Sequence, residues 1–318
     1  NVLSLSLAQD GIINKLRSNL PDCPFPIRYT SLTAFNARYR QGRITATGSL
    51  VYTNVTEHVK IGDAPADFQR LAPSFTVSLQ PWQEQLLFLR LMYKSTFRMP
   101  TFNDLYYYRL GNRSLRPEKA NEYNMGITWS RSFSSFLNYL SVTVDGYYND
   151  VTDKIVAFPT TYAWKMANYG KVHVTGMDAT LAAAASLGKN MVLVVSGGYT
   201  WQKAIDLTDA TSKSYKDQLP YTPKHSGNVS AVLEMPWVNV GYSIVGVSER
   251  YSMSQNIPEN RIDGYMEHTV SLSRNFSFRH CKLRLQAEII NLTDTQYDVI
   301  KYYPMPGRSW RLTGTIEF

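Results

Sequence analysis

Hydrophobic and polar residues alternate with a period of two along most of the chain. At the end, Arg308, Trp310, Leu312, Gly314, Ile316 and Phe318 share one parity, and Ser309, Arg311, Thr313, Thr315 and Glu317 share the other. That pattern predicts a strand with one apolar face. Leu283, Leu285, Ala287 and Ile289 alternate in the same way with Lys282, Arg284, Gln286 and Glu288, and Met266, His268, Val270 and Leu272 with Glu267, Thr269, Ser271 and Ser273. Further runs begin at Ile44, Phe75, Leu87, Tyr123, Leu140, Val229 and Val238, and helical spacing fits none of them.

The connections alternate too, in length. Tight turns are readable at Arg40 to Arg43, Gln80 to Glu84, Phe133 to Asn138, Leu187 to Asn190, Glu234 to Trp237 and Phe278 to Cys281. Between them lie long polar or aromatic stretches near residues 9–27, 54–72, 96–120, 151–170, 203–224, 251–262 and 298–307. Short and long connections in turn predict an all-β fold, a transmembrane antiparallel up-and-down β-barrel with about fourteen strands in this chain. A soluble β-sandwich would also alternate, but around a dry core. Three features weigh against it. The runs reach ~10 residues, the length that crosses a bilayer obliquely. Lys282, Arg284 and Glu288 place charges of both signs deep in the polar parity, which suits a hydrated lumen. The apolar parity ends in Tyr52, Tyr93, Tyr123, Trp129, Tyr148, Trp201 and Trp310, as interfacial girdles do.

Composition sharpens this picture. The chain has 22 Tyr, 13 Phe and 6 Trp but only 18% charged residues, below the rough quarter of soluble domains. No stretch approaches ~18 apolar residues, so no transmembrane helix is expected. The chain opens on alternating residues and not on a secretory signal. The net charge of +8 contains no basic run, which argues against a nucleic-acid arm. Cys23 and Cys281 are expected at opposite ends of the barrel, too far apart to be bridged. No nucleophile elbow, zinc-protease helix or phosphate-cradling loop is found, so no enzyme is expected. The only cofactor candidate is Ca²⁺ at Asp150 with Asp153 or Asp206 with Asp209, against which stands the lack of any known loop spacing.

Recognition is expected in the outer loops. The candidate ligand-binding residues are Tyr106, Tyr107, Tyr108 and Arg109; Tyr162, Trp164, Lys165 and Asn168; Arg250 and Tyr251; and Tyr302 and Tyr303, with Tyr215, Lys216 and Lys301 beside them. Tyr and Trp supply stiff contact area with a polar handle, and Arg adds stacking and bidentate bonding. Such a mixture suits a bulky, amphipathic, partly anionic ligand.

Phe97-Arg98-Met99-Pro100-Thr101, then Leu105-Tyr106, Gly111-Asn112 and Leu115-Arg116-Pro117-Glu118, resemble the barrel of TonB-dependent outer-membrane receptors. Asn291-Leu292-Thr293-Asp294, Tyr297, Pro306-Gly307-Arg308 and the terminal Phe318 resemble the ending of the same family. The resemblance implies a barrel of about twenty-two strands plugged by an N-terminal domain. Residues 1–318 are then expected to be the C-terminal part of that barrel, with the plug, the first strands and the TonB box outside this chain. It implies a cell outer membrane of a Gram-negative bacterium, with outer-membrane lipid, the plug and the TonB complex as partners and a surface lipoprotein as a further possible one. Lys154 to Pro159 followed by Trp164, Met166, Asn168 and Gly170 looks most like cobalamin receptors, with ferric siderophore receptors next. A passive porin of about fourteen strands, closed by pairing its first and last strands, is the alternative among membrane barrels.

Overall fold

The computed structural model describes residues 2–21, 23–159, 164–188, 190–279 and 281–317; Tyr162, His280 and Phe318 lie outside these. The strands are β1 (Val2–Lys15), β2 (Ile27–Gln41), β3 (Ile44–His58), β4 (Phe68–Leu79), β5 (Leu86–Arg98) and β6 (Glu118–Ser132). Next come β7 (Leu137–Pro159), β8 (Trp164–Gly188), β9 (Met191–Asp206), β10 (His225–Glu234) and β11 (Asn239–Val247). After the short β12 (Arg250–Tyr251) and β13 (Arg261–Ile262), the chain continues through β14 (Tyr265–Ser277) and β15 (Lys282–Ile290). Short β16 (Asp298–Ile300) and β17 (Tyr303–Pro304) precede β18 (Ser309–Glu317). One short helix, α1 (Phe102–Tyr106), interrupts the connection from β5 to β6.

Fourteen of these strands form one antiparallel meander in which neighbours in sequence are neighbours in space. The β12–β13 and β16–β17 pairs are separate two-stranded ribbons within the long connections. Among the described residues β1 pairs only with β2, and β18 only with β15, so the first and last strands do not close on each other. The pairing that a fourteen-stranded porin requires is therefore not made.

The two faces divide as the alternation requires. Leu312 is 85% exposed, Trp310 74%, Met125 68% and Ile316 55%. Only a small set of apolar side chains is buried, and the accessible surface is 19799 Å². A compact soluble monomer of 36.2 kDa would expose about 13,400 Å². A single open sheet exposes both faces, and its outward one carries large apolar side chains, which water does not tolerate over such an area and lipid does. The opposite face carries ion pairs: Arg311 Nε sits 2.5 Å from Glu288 Oε2, and Arg90 Nη2 sits 3.0 Å from Asp145 Oδ1.

Arg90 and Asp145 belong to β5 and β7, and Gly126 of β6 lies between them in register. A Cβ on Gly126 would stand 2.0 Å from Asp145 Oδ1 and 3.0 Å from Arg90 Nη2. Gly126→Val is thus expected to part this pair and cost about 1–3 kcal/mol by overpacking. Urea unfolding in lipid vesicles reads it; a midpoint equal to the wild type's would overturn the assignment.

Aromatic rows mark the edges of the outward band. Near the long connections Tyr93, Tyr123 and Tyr148 lie side by side, with ring centroids 5.2 and 6.3 Å apart. From Tyr123 to Phe133 is about ten residues, or ~33 Å of strand, which at a tilt of about 40° gives the ~25 Å apolar height of an outer-membrane barrel. Along the same rim Tyr148, Tyr199 and Tyr242 each hydrogen-bond a histidine of the following sheet strand: His173 at 3.2 Å, His225 at 2.7 Å and His268 at 2.7 Å. Tyr29 meets His58 edge-on in the same diagonal placement.

The expected loop at 151–170 is corrected. β7 and β8 continue as one hairpin, pairing Lys154 with Tyr169 and Phe158 with Lys165. Its inner side is apolar enough to pack: Val151 and Val172 join Ala204 and Leu219, while Ile155 joins Leu105 and Leu115. The stretch expected as a loop from residue 9 is also strand up to Lys15, because β2 offers partners along its full length. Polar Gln9 is accommodated there by donating to Ser31 Oγ at 2.9 Å.

Candidate functional site

The side chains with recognition chemistry collect at the rim of the long connections. Their base is the 99–117 connection. Thr101 caps α1, its hydroxyl accepting from Asp104 N–H at 3.1 Å while its own N–H donates to Asp104 Oδ2 at 2.8 Å. Such a reciprocal box fixes a helix too short to persist alone. Arg98 reaches Asp104 Oδ2 at 3.3 Å, Glu118 Oε2 at 3.4 Å and the Ile155 carbonyl at 3.1 Å. Gly111 runs close beneath α1, where a Cβ would stand 2.7 Å from the Leu105 carbonyl. Arg98, Thr101, Leu105, Gly111, Leu115 and Glu118, all from the first motif, thus hold this connection together.

The second motif does the same at the 291–308 connection. Asn291 is fully buried, donates to the carbonyls of Thr295 and Pro306 at 2.9 and 3.4 Å, and accepts from Thr295 N–H at 2.9 Å. Asp294 accepts from Arg308 N–H at 2.8 Å, and Arg308 Nε donates to the Leu292 carbonyl at 2.9 Å.

The expected ligand residues are distributed over three settings. Tyr106 is tied down, its hydroxyl donating to Glu57; burial, then that hydrogen bond and the charge of Glu57, push the phenol above its ordinary range. Glu57 also accepts from Arg28 Nε at 2.7 Å. Arg28 Nη2, 2.7 Å from the same oxygen, adds an ionic contact without a hydrogen bond. Arg28 stacks on Phe102, and Arg113 on Tyr106. Tyr107 and Tyr108 project from this latch, 52% and 38% exposed, with Arg109 stacked on Tyr108.

Trp164, Lys165 and Asn168 are corrected from loop to strand β8. Asn168 joins the hairpin to the 99–117 connection, accepting from Arg116 N–H at 2.9 Å and donating to the Asp153 carbonyl at 2.6 Å. Trp164 stands 5.9 Å from the ring of Tyr221, and Lys165 is exposed. Arg250 and Tyr251 are corrected from loop to β12, and Tyr303 to β17. Arg250 is 4% exposed; its Nη2 donates to the carbonyls of Asp298 and Val299, and its plane lies over Tyr265. Arg250 Nη1 is buried without a hydrogen-bond partner among the described residues. Tyr265 in turn stacks on Tyr297 at 3.9 Å. Tyr302 and Tyr303 are 82% and 67% exposed.

Of the paired acids, Asp153, Asp206 and Asp209 accept hydrogen bonds, while Asp150 Oδ1 is buried without a hydrogen-bond partner among the described residues. Asp150 meets His173 at 3.3 Å and Asp153 meets Arg116 at 2.6 Å. Asp206 accepts from Thr208 N–H, and Asp209 accepts from Thr211 N–H and hydroxyl, which holds its carboxyl below the usual range. Among the described residues no three His, Cys, Asp or Glu gather as a metal site. Cys23 and Cys281 are free, one in the β1–β2 connection and the other at the β14–β15 turn.

An outward apolar band, an inward polar face and a rim of anchored connections define an outer-membrane β-barrel receptor. Residues 13–292 match the family model described as TonB dependent receptor-like, beta-barrel, and the chain belongs to that family. It is a family of transporters and receptors, not of enzymes, in the outer membranes of Gram-negative bacteria. The vitamin B12 transporter BtuB of Photobacterium profundum is 26% identical over 230 residues, 70% of this chain and 34% of the relative. Among solved structures, the copper transporter OprC superposes with a TM-score of 0.72 at 16% identity, covering 99% of this chain and 53% of the other. The unliganded ferric citrate transporter FecA gives 0.72 at 15% identity, covering 93% and 46%. The chain thus spans about a third of the length of the curated relative it matches and about half of the solved structures.

Proposed function

We propose that this chain is the barrel portion of a TonB-dependent transporter in a Gram-negative outer membrane, taking up a scarce, bulky nutrient. The observation that carries this reading is the open fourteen-stranded sheet with its apolar face outward. An unclosed sheet in lipid leaves two rows of unsatisfied backbone groups, each group costing several kcal/mol. Further strands from the same protein would supply the missing partners, and a plug with a TonB box would supply the coupling to the inner membrane. A fourteen-stranded porin lacks the closing pair it needs.

Cobalamin is the favoured ligand, because the similarity to a vitamin B12 transporter runs through 230 residues. Ferric siderophores and other metal complexes come next, since the solved relatives include ferric citrate and copper transporters. Recognition is assigned to Tyr107, Tyr108, Arg109, Trp164, Lys165, Tyr302 and Tyr303, with Tyr162 in the same segment as Trp164. Arg250 Nη1 supplies an unspent donor for a carbonyl or anionic group. Asn168, Tyr106 and Tyr251 are assigned to shaping the rim.

Binding of cobalamin and of a ferric-siderophore panel to the full-length receptor tests the ligand. Replacing Tyr107, Tyr108 and Arg109 by Ala together is expected to weaken ligand binding at least tenfold, since exposed aromatic and arginine anchors carry most of such energy. The urea midpoint should not move. Unchanged affinity would remove these residues from the site, and failure of every ligand would remove the substrate assignment.

A further inference from the structure

The outward face of β6–β9 just above the tyrosine row carries a charge pattern that neither transport nor folding uses. Ala120, Val172 and Ala204 all face the same interior cluster beneath the long connections. Side chains alternate along a strand, so their neighbours Lys119, Lys171 and Lys203 face out, and all three are exposed. Register places Lys119, Thr152 and Lys171 on one line across β6, β7 and β8. The next line down holds Asn121, Asp150 and His173; Lys203 follows on the line of Tyr123, Tyr148 and Thr175. Asp150 is the one carboxylate among these outward positions; it lies 3.3 Å from His173, and its Oδ1 has no hydrogen-bond partner among the described residues. None of the three lysines makes an ion pair among the described residues.

Lys203 lies two such lines, ~13 Å along the strand, from Lys171, and the tilt of the strands keeps all three amines in the polar layer just beyond the apolar band. Lysine reaches along such a surface with its stem in the apolar part and its ammonium in the polar part. We infer that Lys119, Lys171 and Lys203, with His173 and His225 at the margin, form an outward-facing site for the headgroup of an anionic phosphomonoester lipid. Three ammonium groups against the one carboxylate of Asp150 leave a surplus of two positive charges across β6–β9, which matches a doubly charged phosphate better than the single charge of a phosphodiester. Tyr148 hydrogen-bonds His173 and Tyr199 hydrogen-bonds His225, which holds both imidazoles at the same level. This inference rests on the membrane placement proposed above and not on the identity of the transported ligand.

The test is native mass spectrometry of the full-length receptor released from vesicles of phosphatidylcholine doped with phosphatidic acid. Phosphatidic acid should be retained in preference to phosphatidylcholine. The K119Q/K171Q/K203Q variant should lose about tenfold or more of that preference, at the rough worth of one kcal/mol per basic residue. Lys282→Gln at the far rim should change nothing. Equal retention by the variant and the wild type would overturn the site, as would wild-type indifference between the two lipids. Displacement by millimolar inorganic phosphate would also overturn it, by assigning the charges to a soluble anion. Cobalamin and siderophore binding should be untouched, so a failure here is distinguishable from a failure of the transport reading. A receptor that does not embed in the vesicles at all would refute the membrane placement itself.

Discussion

Leu89→Arg is expected to destabilise the barrel by about 2–4 kcal/mol, the cost of a basic side chain at the bilayer midplane of a β-barrel. Leu89 pairs with Ile127, midway between the Tyr123 row and the opposite rim, and both side chains lie on the outward face. Four kcal/mol is nearly a thousandfold in the unfolding equilibrium, enough to shift the urea midpoint visibly in lipid vesicles. The matched substitution Gln286→Arg places the same charge on the inward face of β15, and its cost should stay within about half a kcal/mol. Equal effects at the two sites would refute the assignment of faces. A soluble fold would show the reverse order.

Glu57→Ala should have the second largest effect, and a local one. Arg28 and Glu57 have side chains 11% and 4% exposed, and Tyr106 donates to the same carboxylate. Removing Glu57 strands a buried guanidinium and an unpaired phenol at once, at a cost of about 3–5 kcal/mol. Hydrogen exchange should accelerate across residues 102–110 while the sheet keeps its protection. Ligand affinity should fall with the loosening of Tyr107 and Tyr108. Arg28→Met with Glu57→Leu should recover most of the protection, because an apolar pair needs no counter-charge. Slow exchange in Glu57→Ala would show that α1 is held by the Leu105–Leu115–Ile155 contacts alone.

The architecture was legible because its signal is periodic and redundant. Each strand repeats the same parity, and the wiring of Arg40 to Arg43, Gln80 to Glu84 and Phe278 to Cys281 needs only turn chemistry. The extent of β7 and β8 was hidden by composition. Asp153, Lys154 and Asn168 read as loop residues, yet Asp153 finds Arg116 and Asn168 finds two backbone partners across a register no local rule supplies. The five His, at 58, 173, 225, 268 and 280, share no spacing in the sequence. The structure puts four of them diagonally above a tyrosine of the preceding strand, separated in sequence by 25, 26, 26 and 29 residues. The latch was missed for the same reason, because Arg28, Glu57 and Tyr106 come from three separate stretches. A weak clue existed: Glu57 is an acid at the end of an inward parity that is otherwise Thr53 and Val55, where a lone carboxylate needs a partner.

In the meander every lateral contact joins ribbons that are consecutive in the sheet's order, so the contacts are local. Chains with such low contact order assemble hairpin by hairpin without large loop-closure entropy. The seam between the outermost ribbons of the finished cylinder is the exception, a long-range event that local zippering cannot complete. Insertion into a bilayer should then proceed smoothly up to that joint and pause there.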